Sequence, residues 1–166
     1  MRTSTRWVAA LAAALALATP LTGAAYADTA PQPSSSPAPG YSANGTWQLL
    51  ALVNQHRRSL GLRPLTVDSR LASIARNWTE RMAASGNLAH NDALFTAVSH
   101  RSLSMRTFGE NVGWNVSVPE QNTAFLNSSG HRANIDNPNF RVAGFAVVRG
   151  TDGRIWSTED FGTPSS

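Results

Sequence analysis

The sequence predicts an α+β domain in which helices cover an antiparallel sheet. Apolar residues recur at helical spacing through the middle of the chain. Near the C-terminus the pattern changes, and β-branched and aromatic residues crowd two runs, Val142 to Val148 and Ile155 to Phe161. Thr151-Asp152-Gly153 lies between those runs, and an Asp-Gly pair there turns one strand back on the next as a β-hairpin. Helices early and strands late leave a layered solution, a sheet with helices packed on it.

The N-terminal stretch is set apart from that domain. Arg2 and Arg6 precede an unbroken apolar run from Val8 to Ala18, and Ala25-Tyr26-Ala27 supplies small residues for cleavage. Residues 1–27 are therefore expected to be a secretory signal peptide cut near Ala27. The run is shorter than the roughly 20 residues of a membrane span, so no transmembrane segment is expected. Residues 28–40, DTAPQPSSSPAPG, hold four Pro and three Ser and no large apolar side chain, the composition of a linker. Residues 41–166 carry four of the five Trp and all six Phe and should form one domain. The Ala-rich leader and the exclusive use of Arg for positive charge suggest a bacterial, secreted protein.

The 14 basic residues are all Arg, against 10 acidic ones. Cleavage removes two Arg and no acid, so the small positive excess shrinks further and no nucleic-acid partner is expected. There is no cysteine, which excludes disulfides, thiolate metal sites and a thiolate nucleophile. An exported domain without disulfides must be held by burial, or by burial and a bound ion.

Taking the elements in order, Leu49, Val53, His56 and Leu60 share one helical face and predict a helix from about Thr46 to Ser59, stopped by Gly61. Asp68 is an N-cap candidate and Gly86 a C′ candidate for a second helix. Its stripe is Leu71, Ile74, Ala75, Trp78 and Met82, with Arg70, Arg76, Glu80 and Arg81 off it. A short third helix is expected from Asp92 to Val98. Ser117-Val118-Pro119-Glu120 reads as a capping box with Pro in the first turn, opening a fourth helix that carries Ala124, Phe125 and Leu126 inward. A further strand is expected near Phe108 to Asn115.

Few residues suit chemistry. H-E-x-x-H, G-x-S-x-G, Walker and G-x-G-x-x-G motifs are all missing. His56 reads as a partly buried structural histidine on its helix, and His100, beside Arg101, as a surface residue. Glu159-Asp160 is an adjacent pair whose side chains should point to opposite faces of a strand, which argues against a joint acid/base role. His90, Glu110 and His131 differ from these because each lies at the edge of an element, where a scaffold presents side chains to a cleft.

Several segments resemble the CAP superfamily, the SCP-like extracellular proteins that include cysteine-rich secretory proteins, venom antigens and plant pathogenesis-related proteins. Asn54-Gln55-His56-Arg57 and Gly61-Leu62-Arg63-Pro64-Leu65 are similar to its opening motifs. Ala89-His90, Gly109-Glu110-Asn111-Val112 and Ser129-Gly130-His131-Arg132-Ala133-Asn134-Ile135 resemble its later ones, and Trp156 to Phe161 resembles its terminal W-x-x-x-x-F. The similarity is to the small, cysteine-free bacterial branch. It implies a three-layer αβα sandwich of about four helices and an antiparallel sheet, with His90, Glu110 and His131 converging in a cleft. In eukaryotic relatives two His and two Glu take a divalent ion, whereas the second carboxylate position here is Ser128.

Two functions follow as expectations. The first is a secreted binding or interaction module for a lipid, a cell-envelope component or a protein, with His90, Glu110, His131 and Ser128 touching the ligand. The alternative is a hydrolase of peptide, phosphodiester or ester bonds. There His90 and His131 would hold a divalent cation, zinc foremost, with Glu110 binding it directly or through water. Glu110 and His131 are the candidate catalytic groups in that case. A metal-free Ser–His–Glu arrangement using Ser128 or Ser129 is disfavoured, because no strained nucleophile turn is evident.

Overall fold

The computed structural model describes residues 39–99 and 103–165. The expected signal peptide, nearly all of the expected linker and His100 lie outside the described residues. In chain order the elements are β1 (Gly40–Tyr41), α1 (Ala43–Ser59), β2 (Thr66–Val67), α2 (Ser69–Ser85), α3 (Asp92–Ser99), β3 (Met105–Asn115), α4 (Val118–Asn127), α5 (Ser129–Ile135), β4 (Val142–Arg149) and β5 (Ile155–Pro164).

The strands form one sheet in the order β1-β4-β5-β3, with β2 pairing parallel to β4. The hairpin of β4 and β5 is its spine, in the register Val148↔Trp156 and Ala143↔Phe161. Side chains alternate across the strands and feed two cores. On one face Leu49 and Val53 of α1, Phe125 of α4 and Ile135 of α5 pack on Phe145, Val147 and Phe161. On the other, Leu71 and Met82 of α2 cover Met105, Val112 and Trp156. Helices therefore flank both faces, and the αβα sandwich expected from the motifs is the fold.

α1 starts ahead of the expected Thr46 because Ser42 caps it, its hydroxyl accepting the Gly45 N–H at 3.1 Å. Its buried face also differs from the expected one. Leu60, placed in the core by spacing, is the C-terminal cap and 47% exposed. Arg57 takes the inward position and is fully buried. Its guanidinium donates to the carbonyls of Arg63, Ile135, Asn137 and Phe140 at 2.6–3.3 Å, so the charge is satisfied by backbone rather than by an acid. Neighbouring residues of the same motif act alike. Asn54 exchanges two hydrogen bonds with the backbone of Leu65, and His56 meets Asp136 at 2.8 Å. The opening motif is thus a structural clamp, and His56 has the structural role expected of it.

α2 runs between its expected caps. Asp68 accepts the Arg70 and Leu71 N–H groups, and Gly86 closes the helix in the left-handed region at φ 68. The helix lies directly on β4 at Gly144, where a Cβ would stand 2.0 Å from the Leu71 backbone. Ser117 caps α4 as expected, its Oγ accepting the Glu120 N–H and donating to the Glu120 carboxylate at 2.8 Å. Three short elements, β1, β2 and α5, were not anticipated. Two-residue strands carry no period of their own, and α5 follows α4 after the single residue Ser128.

Candidate functional site

Glu110 sits in the middle of β3, directly opposite Asp160 of β5. Both side chains point to the α2 face and both are buried, at 4% and 0% exposure. After α2 the chain bends back over this point. The Trp78 indole donates to the Ala89 carbonyl at 2.8 Å and fixes the approach of His90. The His90 ring then meets Glu110 through Nδ1 at 2.7 Å, and the Asn91 N–H donates to the same carboxylate oxygen at 2.9 Å.

His131 comes from the other layer. α5 is pinned to β3 by a pair of asparagines. Asn111 donates to the His131 carbonyl at 3.1 Å and to Glu159 at 2.9 Å. Asn134 donates to the Glu110 carbonyl and to the Asn111 side-chain oxygen. The His131 ring packs on Phe125 with centroids 4.8 Å apart. Neither of its ring nitrogens has a hydrogen-bond partner among the described residues.

The fold therefore brings His90 and Glu110 into contact and sets His131 near them without a hydrogen bond to either. The two imidazoles are tuned in opposite directions. The Glu110 hydrogen bond raises the pKa of His90 against the pull of partial burial. Burial, helped by the charge of His90, pushes His131 down to about 4, so it is neutral at ordinary pH. Behind them Asp160 is held well above the usual carboxylate range, first by burial and then by the charge of Glu110. The sequence named Asp160 only as the neighbour of Glu159 and did not place it beside Glu110. Only strand register places it against Glu110, and no local pattern marks it. The expected opposition of the adjacent acids does hold, since Glu159 points to the α1 face, where Asn111 meets it.

A cleft of about 420 Å³ opens beside His131; of the three residues expected to converge in one cleft, His131 lines it and His90 and Glu110 do not. His131, Gln121, Phe125 and Ser128 line one wall, Leu88 and Trp114 the other, and Val112 to Asn115 of β3 run along its floor. The buried Gln121 carries a side-chain oxygen without a partner among the described residues. Ser128 is the residue between α4 and α5 and sits at the rim.

The donor set does not fit a divalent ion as it stands. One Glu110 oxygen is shared by His90 and the Asn91 amide. The second carboxylate position of the family pattern is Ser128. Among the described residues no group of three or more His, Asp or Glu side chains is disposed to hold a metal. None of their helices is long and apolar enough to cross a membrane.

Residues 50–161 match the model of the cysteine-rich secretory protein family, CAP. The uncharacterized protein YkwD of Bacillus subtilis (strain 168) is 32% identical over 120 residues, covering 69% of this chain and 46% of that one. The chain thus spans about half the length of this curated relative. Among solved structures, a cysteine-rich secretory protein of Staphylococcus aureus superposes with a TM-score of 0.61 at 29% identity, over 72% of this chain and 38% of its own. An outer surface protein of Borrelia burgdorferi shares the fold at a TM-score of 0.66 and 19% identity, over 74% of this chain and 95% of its own.

Proposed function

From the premise that this chain belongs to the cysteine-rich secretory protein (CAP) family, we propose that it is a secreted module that binds an extracellular ligand in the cleft between α4, α5 and the Leu88 segment. One observation carries the reading. The cleft combines apolar walls with buried polar atoms, the His131 nitrogens and the Gln121 oxygen, that have no partner among the described residues. Burying such groups unpaired costs about 1–3 kcal/mol each, a cost that a ligand offering complementary groups recovers. The extracellular setting is supported by the signal-like leader and by a solved relative from Bacillus anthracis described as an extracellular protein containing an SCP domain.

The reading is tested by saturation-transfer NMR with a mixture of small polar and apolar fragments. Ala124 is half-buried on the cleft wall, and Ala124→Trp would fill the space without entering the core. Fragments should bind the wild type and be lost in the variant at unchanged melting temperature. Equal binding by both proteins would remove the cleft from the reading.

A second reading, hydrolysis, is favoured by the opposed tuning of His90 and His131, since groups with separated pKa values suit acid and base roles. Its metal-assisted form predicts calorimetric heat from zinc at pH 7.5 that weakens at pH 5.5, because imidazole binds metal only when neutral. The donor geometry predicts no stoichiometric heat at either pH. Turnover of peptide, ester or phosphodiester substrates that is lost in both His90→Ala and His131→Ala would favour the enzyme.

A further inference from the structure

We infer that the cleft ligand is a short extended L-peptide that adds as a strand to the open edge of β3 alongside Val112–Asn115. This rests on the binding reading above and names the class of ligand.

The sheet ends at β3, whose strand partner among the described residues is β5 alone. Towards its start the outer edge of β3 is covered by α5, where Asn134 donates to the outward-facing Glu110 carbonyl. On the inner side Gly113 stands opposite Ser157 of β5, whose hydroxyl donates to the Gly113 carbonyl at 3.4 Å. Peptide groups alternate along an antiparallel strand, so those of Val112 and Trp114 share the outward direction of Glu110. The cleft is lined by four consecutive residues, Val112 to Asn115, although their side chains point to opposite faces. A cavity that touches both faces of one strand must wrap its edge. Four residues at roughly 3.3 Å each give about 10 Å of edge between the first and last, room for three or four residues of ligand.

Charge narrows the class. Among the residues lining the cleft Glu120 alone carries a formal charge at neutral pH, since burial keeps His131 neutral and no Arg takes part. A phosphate or fatty-acid carboxylate would meet no cation among the lining residues and one anion. An amide backbone is uncharged and offers alternating donors and acceptors to the strand edge, as in other strand-addition sites. His131 and Gln121 stand beside that edge and can pair with the peptide groups turned away from β3. Gly113 builds the wall. A Cβ there would stand 2.5 Å from the Gln121 amide nitrogen and 3.0 Å from the Phe125 ring, so glycine lets α4 close over the strand. The right-handed twist of L-strands selects one mirror form of ligand.

The test uses the full secreted chain and a library of acetylated, amidated L-tetrapeptides screened by affinity selection and mass spectrometry. An enriched peptide should slow amide exchange at Val112 and Trp114 at least tenfold and leave Gly113 unchanged. Methylating its edge-facing nitrogens should weaken binding about tenfold or more, as should the all-D form. Failure to enrich any peptide, equal binding of the methylated or D forms, or protection elsewhere would overturn the inference. Decanoate serves as the lipid probe. Decanoate binding that Ala124→Trp removes, with no peptide binding, overturns the peptide and keeps the binding module. Silence from peptides, decanoate and fragments alike removes both.

Discussion

Arg57 and Glu159 are both fully buried, and the surroundings treat them oppositely. Arg57 keeps its charge by donating to four backbone carbonyls from two chain segments. Lysine cannot reproduce that planar fork. Arg57→Lys should destabilise the domain by about 3 kcal/mol, measured by urea unfolding at pH 7. Glu159 instead has its pKa raised to about 8 by burial, against the hydrogen bond from Asn111. A raised carboxyl contributes stability that is full below its unfolded value and is lost as pH rises through the folded one. The wild type should therefore weaken between about pH 4.5 and pH 8, by an amount on the order of 5 kcal/mol at the upper end. Glu159→Gln can still accept from Asn111 and should flatten that loss in melting curves across the range. His131 runs the other way. With its pKa lowered to about 4, its contribution is present above about pH 6.5 and lost as pH falls through 4. His131→Gln should lose less stability than the wild type between pH 7 and pH 4.5. His90, with its pKa raised, carries the opposite sign, so a matching loss in the variant would mean the acid sensitivity lies elsewhere. The sequence marked His90, Glu110 and His131 by position and motif. It did not mark Arg57 as core or Asp160 as the neighbour of Glu110, because neither burial nor cross-strand partnership is a local property.

Elements follow local rules where those rules are strong. α2 has an Asp cap, a stripe of apolar residues and a terminal glycine, and the sequence delimits it to the residue. The β4–β5 hairpin is equally legible from its Asp-Gly turn and β-branched runs. α5 is not, since its seven residues lack a side-chain cap bond and are held by Asn111 and Asn134 instead. How closely elements approach is also invisible in one dimension. At Gly144 the absent Cβ lets α2 rest on the sheet backbone, with Leu71 and Ala72 atoms 2.0–2.4 Å from where that carbon would lie. Gly144→Ala must push α2 away and should cost about 3 kcal/mol or more, seen as a lowered melting temperature with selective loss of protection across α2. An unchanged melting temperature would mean that the helix shifts at little cost.

At the scale of the whole molecule the sandwich does two things for the candidate site. It delivers His90 from the α2 layer and His131 from the α5 layer to opposite sides of one strand, and it leaves Val112 to Asn115 of that strand lining the cleft. Composition, caps, turn chemistry and the order of short motifs were enough to determine an α+β domain, its main elements and its family, and they marked His131, which lines the cleft, because these are written in spacings along the chain. The tertiary structure alone decided that His90 bonds Glu110 while His131 does not, that Asp160 stands behind them, and that Arg57 is core. Those facts depend on strand register and layer packing, which join residues 20 to 80 positions apart through contacts that no local pattern encodes.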